Sequence, residues 1–86
     1  SARGGVSDAA ARRAAKKELA RIERKLDRLR AEASNLEAKL EKLSIKVATD
    51  ASVVSELTKV SAQHQDIVGE IDGLEEAWLE AAEAAE

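Results

Sequence analysis

Apolar residues recur three and four positions apart along two long segments of the chain, and this spacing constrains the fold more than any other feature. In the first segment the positions are Leu19, Ile22, Leu26, Leu29, Ala33, Leu36, Leu40, Leu43 and Val47, and the row extends backward to Ala15. In the second segment they are Val53, Leu57, Val60, His64, Ile67, Ile71, Leu74, Trp78, Ala81 and Ala85. Such steps place side chains on one face of an α-helix and are typical of coiled coils. We call the two rows the seams.

Five small or polar residues, 48–52, interrupt the seams. Within them, Thr49 or Asp50 can accept a hydrogen bond from the free amides at the start of a new helix. Because the chain has no proline, nothing else breaks a helix along its length. The pattern predicts a first helix over 8–48, a turn over 49–52 and a second helix over 53–84.

The step from Val47 to Val53 is six residues, which does not continue a single straight coiled coil. A hairpin requires facing residues whose numbers add to a constant, and a turn centred on Asp50 makes that constant 100. Each layer then pairs two seam residues, for example Leu29 with Ile71 and Ile22 with Trp78. The sequence therefore predicts an all-α fold, an antiparallel two-helix coiled-coil hairpin. On the flanks of the hairpin, Lys46 is expected to reach Glu56, whereas Glu23 is expected to face Glu75.

Several classes of protein are excluded by composition. The chain has no cysteine, which excludes disulfide scaffolds and cysteine-based metal sites. Its apolar runs are too short for a membrane span, and its first thirty residues are too charged for a secretory signal. With only 19 Leu, Ile and Val residues, and glycines that lack the Lys and Ser/Thr of a phosphate-binding loop, an enzyme built on this chain alone is not expected. No metal or cofactor is expected in this domain.

Charge is segregated along the chain. Residues 1–30 hold ten basic and four acidic side chains, whereas residues 31–86 hold four basic and thirteen acidic ones. Five of the basic residues lie three or four apart on the outward face of the first helix: Arg13, Lys17, Arg21, Arg24 and Arg28. We call this row the basic ridge; Lys16 and Lys25 flank it. A ridge about 20 Å long can follow several backbone phosphates without reading any base.

The competing interpretation of the ridge is an ordinary solvated face of a coiled coil, which is what charge runs usually are. Cations near a helix N-terminus oppose the helix macrodipole, so helix stability does not explain the ridge. The hairpin, however, brings Glu75, Glu76, Glu80 and Glu83 alongside and is expected to neutralise part of it. No aromatic residue stands beside the ridge to stack on bases.

Four other positions have a structural and a functional interpretation. His64 lies on the seam opposite Leu36, where we expect a neutral core imidazole rather than a metal ligand or a hydrolase base, so acid should loosen the middle of the hairpin. Trp78 is expected to plug the seam rather than to hold a ligand. Ile45 and Val54 are apolar but lie off the seam near the turn, where they form either a small docking patch or tolerated surface.

The alanine- and arginine-rich stretch 11–26 (ARRAAKKELARIERKL), the Thr49-Asp50 turn and the ending 74–80 (LEEAWLE) resemble the C-terminal coiled-coil domain of ABC-F ATPases of the Uup-like group, in the style of actinobacterial members. The resemblance covers residues 8–83. It implies that residues 1–7 are the remnant of a linker that follows a nucleotide-binding domain.

The resemblance also implies a cytoplasmic parent protein with two ATP-binding cassettes and no membrane domain, of a kind that often acts on ribosomes. ATP and magnesium are then expected in the parent's other domains, since none of the ATPase motifs occurs in this chain. In Uup-like members the hairpin is associated with DNA binding through basic surface residues. Carried over, those residues are Arg13, Lys17, Arg21, Arg24 and Arg28, with Lys16 and Lys25 beside them.

Two hypotheses follow. The first is a non-catalytic accessory hairpin, monomeric as an isolated domain, that contacts DNA or ribosomal RNA non-specifically through the basic ridge, with the ribosome as a further partner. The alternative is a protein-interaction or spacer coiled coil that docks on a partner or on the parent's ATPase domains. Pairing of two hairpins into a four-helix dimer needs a wider apolar stripe, which Ser61 and Glu75 interrupt.

Overall fold

The computed structural model describes residues 2–86, with side-chain positions from Asp8 onward. Helix α1 spans Ala2–Lys46, a short 3-10 helix spans Ala51–Val53, and helix α2 spans Val54–Ala85. The molecule measures 71 × 14 × 12 Å. These dimensions are those of two helices lying side by side, the longer of which has 45 residues at about 1.5 Å each.

The two helices run antiparallel, as four side-chain contacts between them demonstrate. From the turn outward these are Lys39 with Glu56 at 3.2 Å, Glu37 with His64 at 3.1 Å, Arg30 with Glu75 at 3.4 Å and Glu23 with Trp78 at 3.1 Å. As the α1 number falls, the α2 number rises, so the chain doubles back at the turn. The predicted helical hairpin is confirmed.

The seams form the core. Every seam residue from Ala15 to Ala85 is buried or half-buried, and the most completely buried are Ile22 at 1% exposed and Val60 at 2%. One cluster near the turn joins Leu43, Val53 and Val60, and another in the middle joins Leu29, Ala33 and Ile67. The small Ala33 packs with the larger Ile67, as the predicted layers required.

Asp50 closes the turn. Its backbone is extended (φ −144°, ψ 96°), and its carboxylate accepts hydrogen bonds from the backbone N–H of Ser52 at 3.0 Å and from the Ser52 hydroxyl. Thr49 is not the cap, because its hydroxyl instead donates to the Lys46 carbonyl at 3.3 Å. Of the two predicted capping residues, the structure therefore assigns the role to Asp50.

The helix bounds differ modestly from the prediction. Helix α1 ends at Lys46, two residues early, because the chain tightens into the turn there, and α2 begins one residue late at Val54, since the 3-10 helix precedes it. At the other end α1 already begins at Ala2, so its backbone includes most of the segment 1–7 that was expected as linker. Ser1 lies outside the described residues, and a linker role for 1–7 stays a prediction.

The flanks of the hairpin follow a different register from its seam. Glu56 is paired with Lys39 rather than with Lys46, and Glu75 is paired with Arg30. Flanking positions point sideways along each helix, so their contacts are offset from the facing layers. The predicted contact of Lys46 with Glu56 was therefore wrong.

Candidate nucleic-acid interface

Helix α1 positions the basic ridge. Its members occupy the heptad positions that point away from the seam, and all five are exposed: Arg13, Lys17, Arg21, Arg24 and Arg28. The flanking residues differ, because Lys16 is exposed whereas Lys25 is half-buried beside the seam. A lysine in that place lays its hydrocarbon stem along the neighbouring helix and keeps its ammonium group in water. All seven predicted residues therefore lie on one helix, and six of them are exposed.

The ridge is long and straight. Fifteen residues separate Arg13 from Arg28, which at about 1.5 Å per residue is roughly 22 Å. A nucleic-acid strand advances about 3.4 Å per phosphate along the duplex axis, so the ridge spans about six phosphates. Arginine adds a planar fork of donors that matches phosphate oxygens in pairs.

One ridge residue has an ion-pair partner on its own helix. The Arg21 Nε donates a hydrogen bond to Glu18 Oε2 at 3.0 Å, and both side chains are about half exposed. This hydrogen bond, together with the charge of the guanidinium, lowers the pKa of Glu18 and raises the pKa of Arg21. The pair therefore stays fully ionised at neutral pH, and Glu18 offsets one of the five ridge charges.

The expected neutralisation of the ridge by the acidic arm does not occur through direct ion pairs. Within residues 8–86, no ridge side chain pairs with a carboxylate of α2; Glu75 pairs with Arg30, which lies off the ridge on the flank. The reason is geometric, because the ridge residues occupy the outward positions of α1, whereas Arg30 lies on the flank within reach of α2. Lys17, Arg24 and Arg28 have no ion-pair partner in this described part of the chain.

Helix α2 nevertheless shapes the field around the ridge. Residues 65–86 contain eight acidic and no basic side chains, and they pack against the half of α1 that carries the ridge. Packed helices lie about 8–10 Å apart, which is close to the Debye length of about 8 Å at physiological salt. The positive charge of the ridge is therefore felt close to its side chains, whereas at longer range the larger negative charge of α2 outweighs it.

His64 does not have the apolar surroundings expected for it. The imidazole Nε2 lies 3.1 Å from the Glu37 carboxylate, and its side chain is only partly buried. This contact with Glu37 was not predicted from the sequence, and loosening of the hairpin in acid stays a prediction. Among the described residues no group of three potential metal ligands comes together.

Trp78 lies partly on the seam and partly on a surface groove. The ring is half-buried near the almost inaccessible Ile22, and its indole N–H donates to Glu23 Oε1 at 3.1 Å. The predicted plug is therefore present, but the same ring also lines a groove with Leu79. Sequence analysis missed this groove; the signal for it was Leu79, a large apolar residue off the seam.

Comparison of the chain with protein-family models, with curated protein sequences and with solved structures found no match in any of the three. Within residues 2–86, neither helix contains a stretch apolar enough to cross a lipid bilayer. The fold and the site define the class, a helical hairpin that carries an exposed basic row on one arm and an acidic row on the other.

Proposed function

We propose that this hairpin is a non-catalytic accessory domain that binds nucleic acid non-specifically by laying the basic ridge along the phosphate backbone. The observation that carries the proposal is the row of exposed cations on the outward face of α1, of which only Arg21 has an ion-pair partner within residues 8–86. The ridge begins at Arg13, about three turns inside α1, so the helix macrodipole, which acts within the first turn, does not account for these cations.

The ridge favours phosphate contact over base recognition. The only aromatic residue of the chain is Trp78, which lies on the seam and the flank rather than beside the ridge. Without an aromatic platform bases cannot stack on it, and a straight row of cations carries no sequence information. Binding therefore depends on release of counterions and weakens steeply as salt rises.

From the resemblance of stretches 11–26 and 74–80 to ABC-F proteins, we infer that the proposed domain belongs at the C-terminal end of an ATP-binding protein. In that setting the cassettes of the parent hold ATP and magnesium, and the hairpin supplies a rigid basic arm directed at DNA or ribosomal RNA. This part of the proposal rests on the sequence resemblance, and the phosphate-binding part rests on the geometry of α1.

One titration tests the proposal. Duplex DNA and ribosomal RNA are each titrated with the hairpin at 50 and 200 mM salt. Four or five phosphate contacts to a duplex are expected to lower the affinity roughly 150- to 500-fold over this rise in salt. Reversing Lys17, Arg24 and Arg28 to Glu should abolish binding without unfolding the hairpin, since these exposed side chains have no ion-pair partner in the described chain.

The chain offers a matched control for that variant. Reversing Lys42, Lys46 and Lys59 to Glu changes the net charge by the same amount, and these residues are equally exposed but lie in the turn half of the molecule. We expect this control to retain most of the binding. An equal loss in both triple variants would contradict the proposal, because net charge rather than the ridge would then govern binding.

A second candidate function is supported by the exposed apolar residues at the turn. Ile45 is 71% exposed and Val54 48%, and both lie at the tip of the hairpin. We propose as the alternative a protein-interaction or spacer arm that docks through this tip on a partner or on the parent's ATPase domains. Such binding should tolerate salt, weaken in an Ile45→Ser variant and be unaffected by reversal of the ridge.

A further inference from the structure

A groove runs along one flank of the hairpin, away from both the turn and the ridge. Its floor is apolar and consists of Leu26, Trp78 and Leu79. Its rim is charged and consists of Glu23, Asp27, Arg30 and Glu75. We call it the tryptophan groove. Its volume of about 450 Å³ lies in the range of cavities that hold a ligand or the anchoring side chains of a partner.

The groove continues along α2 as a strip of mixed chemistry. Leu79 is 58% exposed and Val68 39% exposed. These two residues are eleven positions apart, which is about three helical turns, so they lie on the same face of α2 at a separation of roughly 16 Å. Asp72 and Glu75 lie between them on that face. The strip therefore carries an apolar residue at each end and two carboxylates between them, and nothing in the described chain covers it.

The charge around the groove selects its occupant. Three carboxylates, from Glu23, Asp27 and Glu75, surround the floor, and the only cation on the rim, Arg30, is already held by Glu75 at 3.4 Å. Asp72 adds a further negative charge on the strip. The complementary surface is thus apolar in its centre and basic at its edges.

We propose that the tryptophan groove is the docking site for a basic amphipathic helix of a partner protein. The helix would lie along the flank as a third helix, with its apolar residues against Trp78, Leu79 and Val68. Its lysines or arginines would reach Asp27, Asp72 and Glu75. Recognition of an amphipathic helix by an apolar groove with oppositely charged edges is a common mode of peptide binding.

A second copy of this chain does not supply that helix. The only strongly basic segment lies in α1, and its large apolar residues are on the seam, where Ile22, Leu26 and Leu29 are already buried against α2. The outward face of that segment offers alanine as its only apolar side chain. A helix with both leucine-sized anchors and cations on one face must therefore come from outside residues 1–86.

Trp78 makes the proposal directly measurable, because it is the only tryptophan of the chain and lies in the groove. The probe is a synthetic helix of about 18 residues with leucines three and four apart and lysines elsewhere. Titration into the hairpin should shift the Trp78 emission to shorter wavelength as the ring loses water. The same peptide with glutamate in place of lysine should cause no shift.

Paired variants locate the site. Leu79→Glu and Asp72→Lys should each weaken binding of the lysine peptide by about tenfold or more, since one removes the anchor and the other the charge partner. The matched controls Ile45→Glu and Asp66→Lys change equally exposed residues outside the groove and should alter the affinity less than about twofold. All four positions are exposed, so each variant is expected to remain helical, and circular dichroism is the measurement that checks this.

Three results would overturn the inference. The first is an unchanged Trp78 emission on addition of the lysine peptide. The second is equal weakening by the groove variants and by their controls, which would mean non-specific attraction to an acidic protein. The third is self-association of the hairpin in sedimentation that Leu79→Glu abolishes, because a second copy would then be the occupant.

Discussion

The hairpin has two halves with different chemistry. In the turn half, residues 36–64, four basic and four acidic side chains cancel, and the packing is aliphatic, built on Leu43, Val53 and Val60. In the open half, residues 8–35 carry a charge of +4 and residues 65–86 a charge of −8. The open half also holds Trp78, the basic ridge and the tryptophan groove.

This difference separates what holds the molecule together from what it presents to partners. In the turn half, a short and capped turn connects the two helices and holds their ends together. In the open half the same seam is buried, but α1 carries a strong positive charge there and α2 a strong negative charge. A coiled coil permits this division, because its outward positions are free to vary as long as the seam is kept.

The largest effect is expected from truncating a core residue in each half. Ile22→Ala in the open half and Leu43→Ala in the turn half should each destabilise the hairpin by about 3 kcal/mol, since both side chains are buried. Urea unfolding followed by circular dichroism measures both. Ile22→Val, which should cost about 1 kcal/mol, serves where the alanine variant is unfolded. A negligible loss of stability in Ile22→Ala would mean that the open half frays in solution, although Trp78 covers it.

Glycine replacement in α2 should raise stability by the next largest amount. Gly69 and Gly73 lie on the outward face, and a Cβ added at either meets nothing within 4 Å outside its own helix backbone. Alanine at each should gain about 1 kcal/mol through lower backbone entropy in the unfolded chain, and about 2 kcal/mol together. A thermal melt of the double variant checks this, and an unchanged or lower melting temperature would contradict an open helix surface there.

The seam position His64 should respond to an apolar replacement. His64→Leu extends the aliphatic packing of the turn half toward the open half and should stabilise the hairpin by about 1 kcal/mol. The Glu37 carboxylate that loses its partner is mostly exposed and is rehydrated at little cost. Glu37→Gln is the control and should change the melting temperature little. Destabilisation by leucine would mean that the contact with Glu37 outweighs apolar burial.

The smallest effect concerns the cap at the turn. Hydrogen bonds from the Ser52 hydroxyl and backbone N–H lower the pKa of Asp50 below 3.8. A carboxylate whose folded pKa is lowered stabilises the fold above its unfolded pKa, and this contribution is lost as the pH falls through the folded value. Asp50→Ala should therefore lower the melting temperature by a few degrees at pH 7, and the difference from wild type should begin to shrink near pH 3.8 and continue to fall as the pH passes through the lowered pKa of Asp50.

Asparagine separates the cap from the charge at the same position. Asp50→Asn keeps a side-chain acceptor for the turn but cannot titrate, so it should melt close to wild type at neutral pH. A difference between Asp50→Ala and wild type that persists unchanged in acid would show that the carboxylate charge is irrelevant to the turn.

The core could be predicted residue by residue, because the seam residues recur with the period of an α-helix. This period fixes which face of each helix is buried. Even the layer that joins Ile22 and Trp78 followed from the turn position. The flank contacts could not be predicted. Lys39 rather than Lys46 meets Glu56, because long side chains reach along the helix axis and their partners depend on the final helix offset.

The candidate site was predictable in part for the same reason. The basic ridge lies on α1 alone, so helical spacing was sufficient to place it. The tryptophan groove needs both helices, since its walls come from Leu26 and Trp78 together, and only the packed hairpin shows that Leu79 lies beside them. The surroundings of His64 were likewise decided by Glu37 from the other helix.

The amino-acid sequence by itself determined that the chain forms two helices, which face of each is buried, where the chain turns and which cations line the outer surface. These features follow from local periodicity and from the chemistry of single residues. Tertiary structure alone decided which charges meet across the flanks and that an acidic, partly apolar groove opens beside Trp78. Such features depend on the offset between two helices, which is set by the whole packed seam at once.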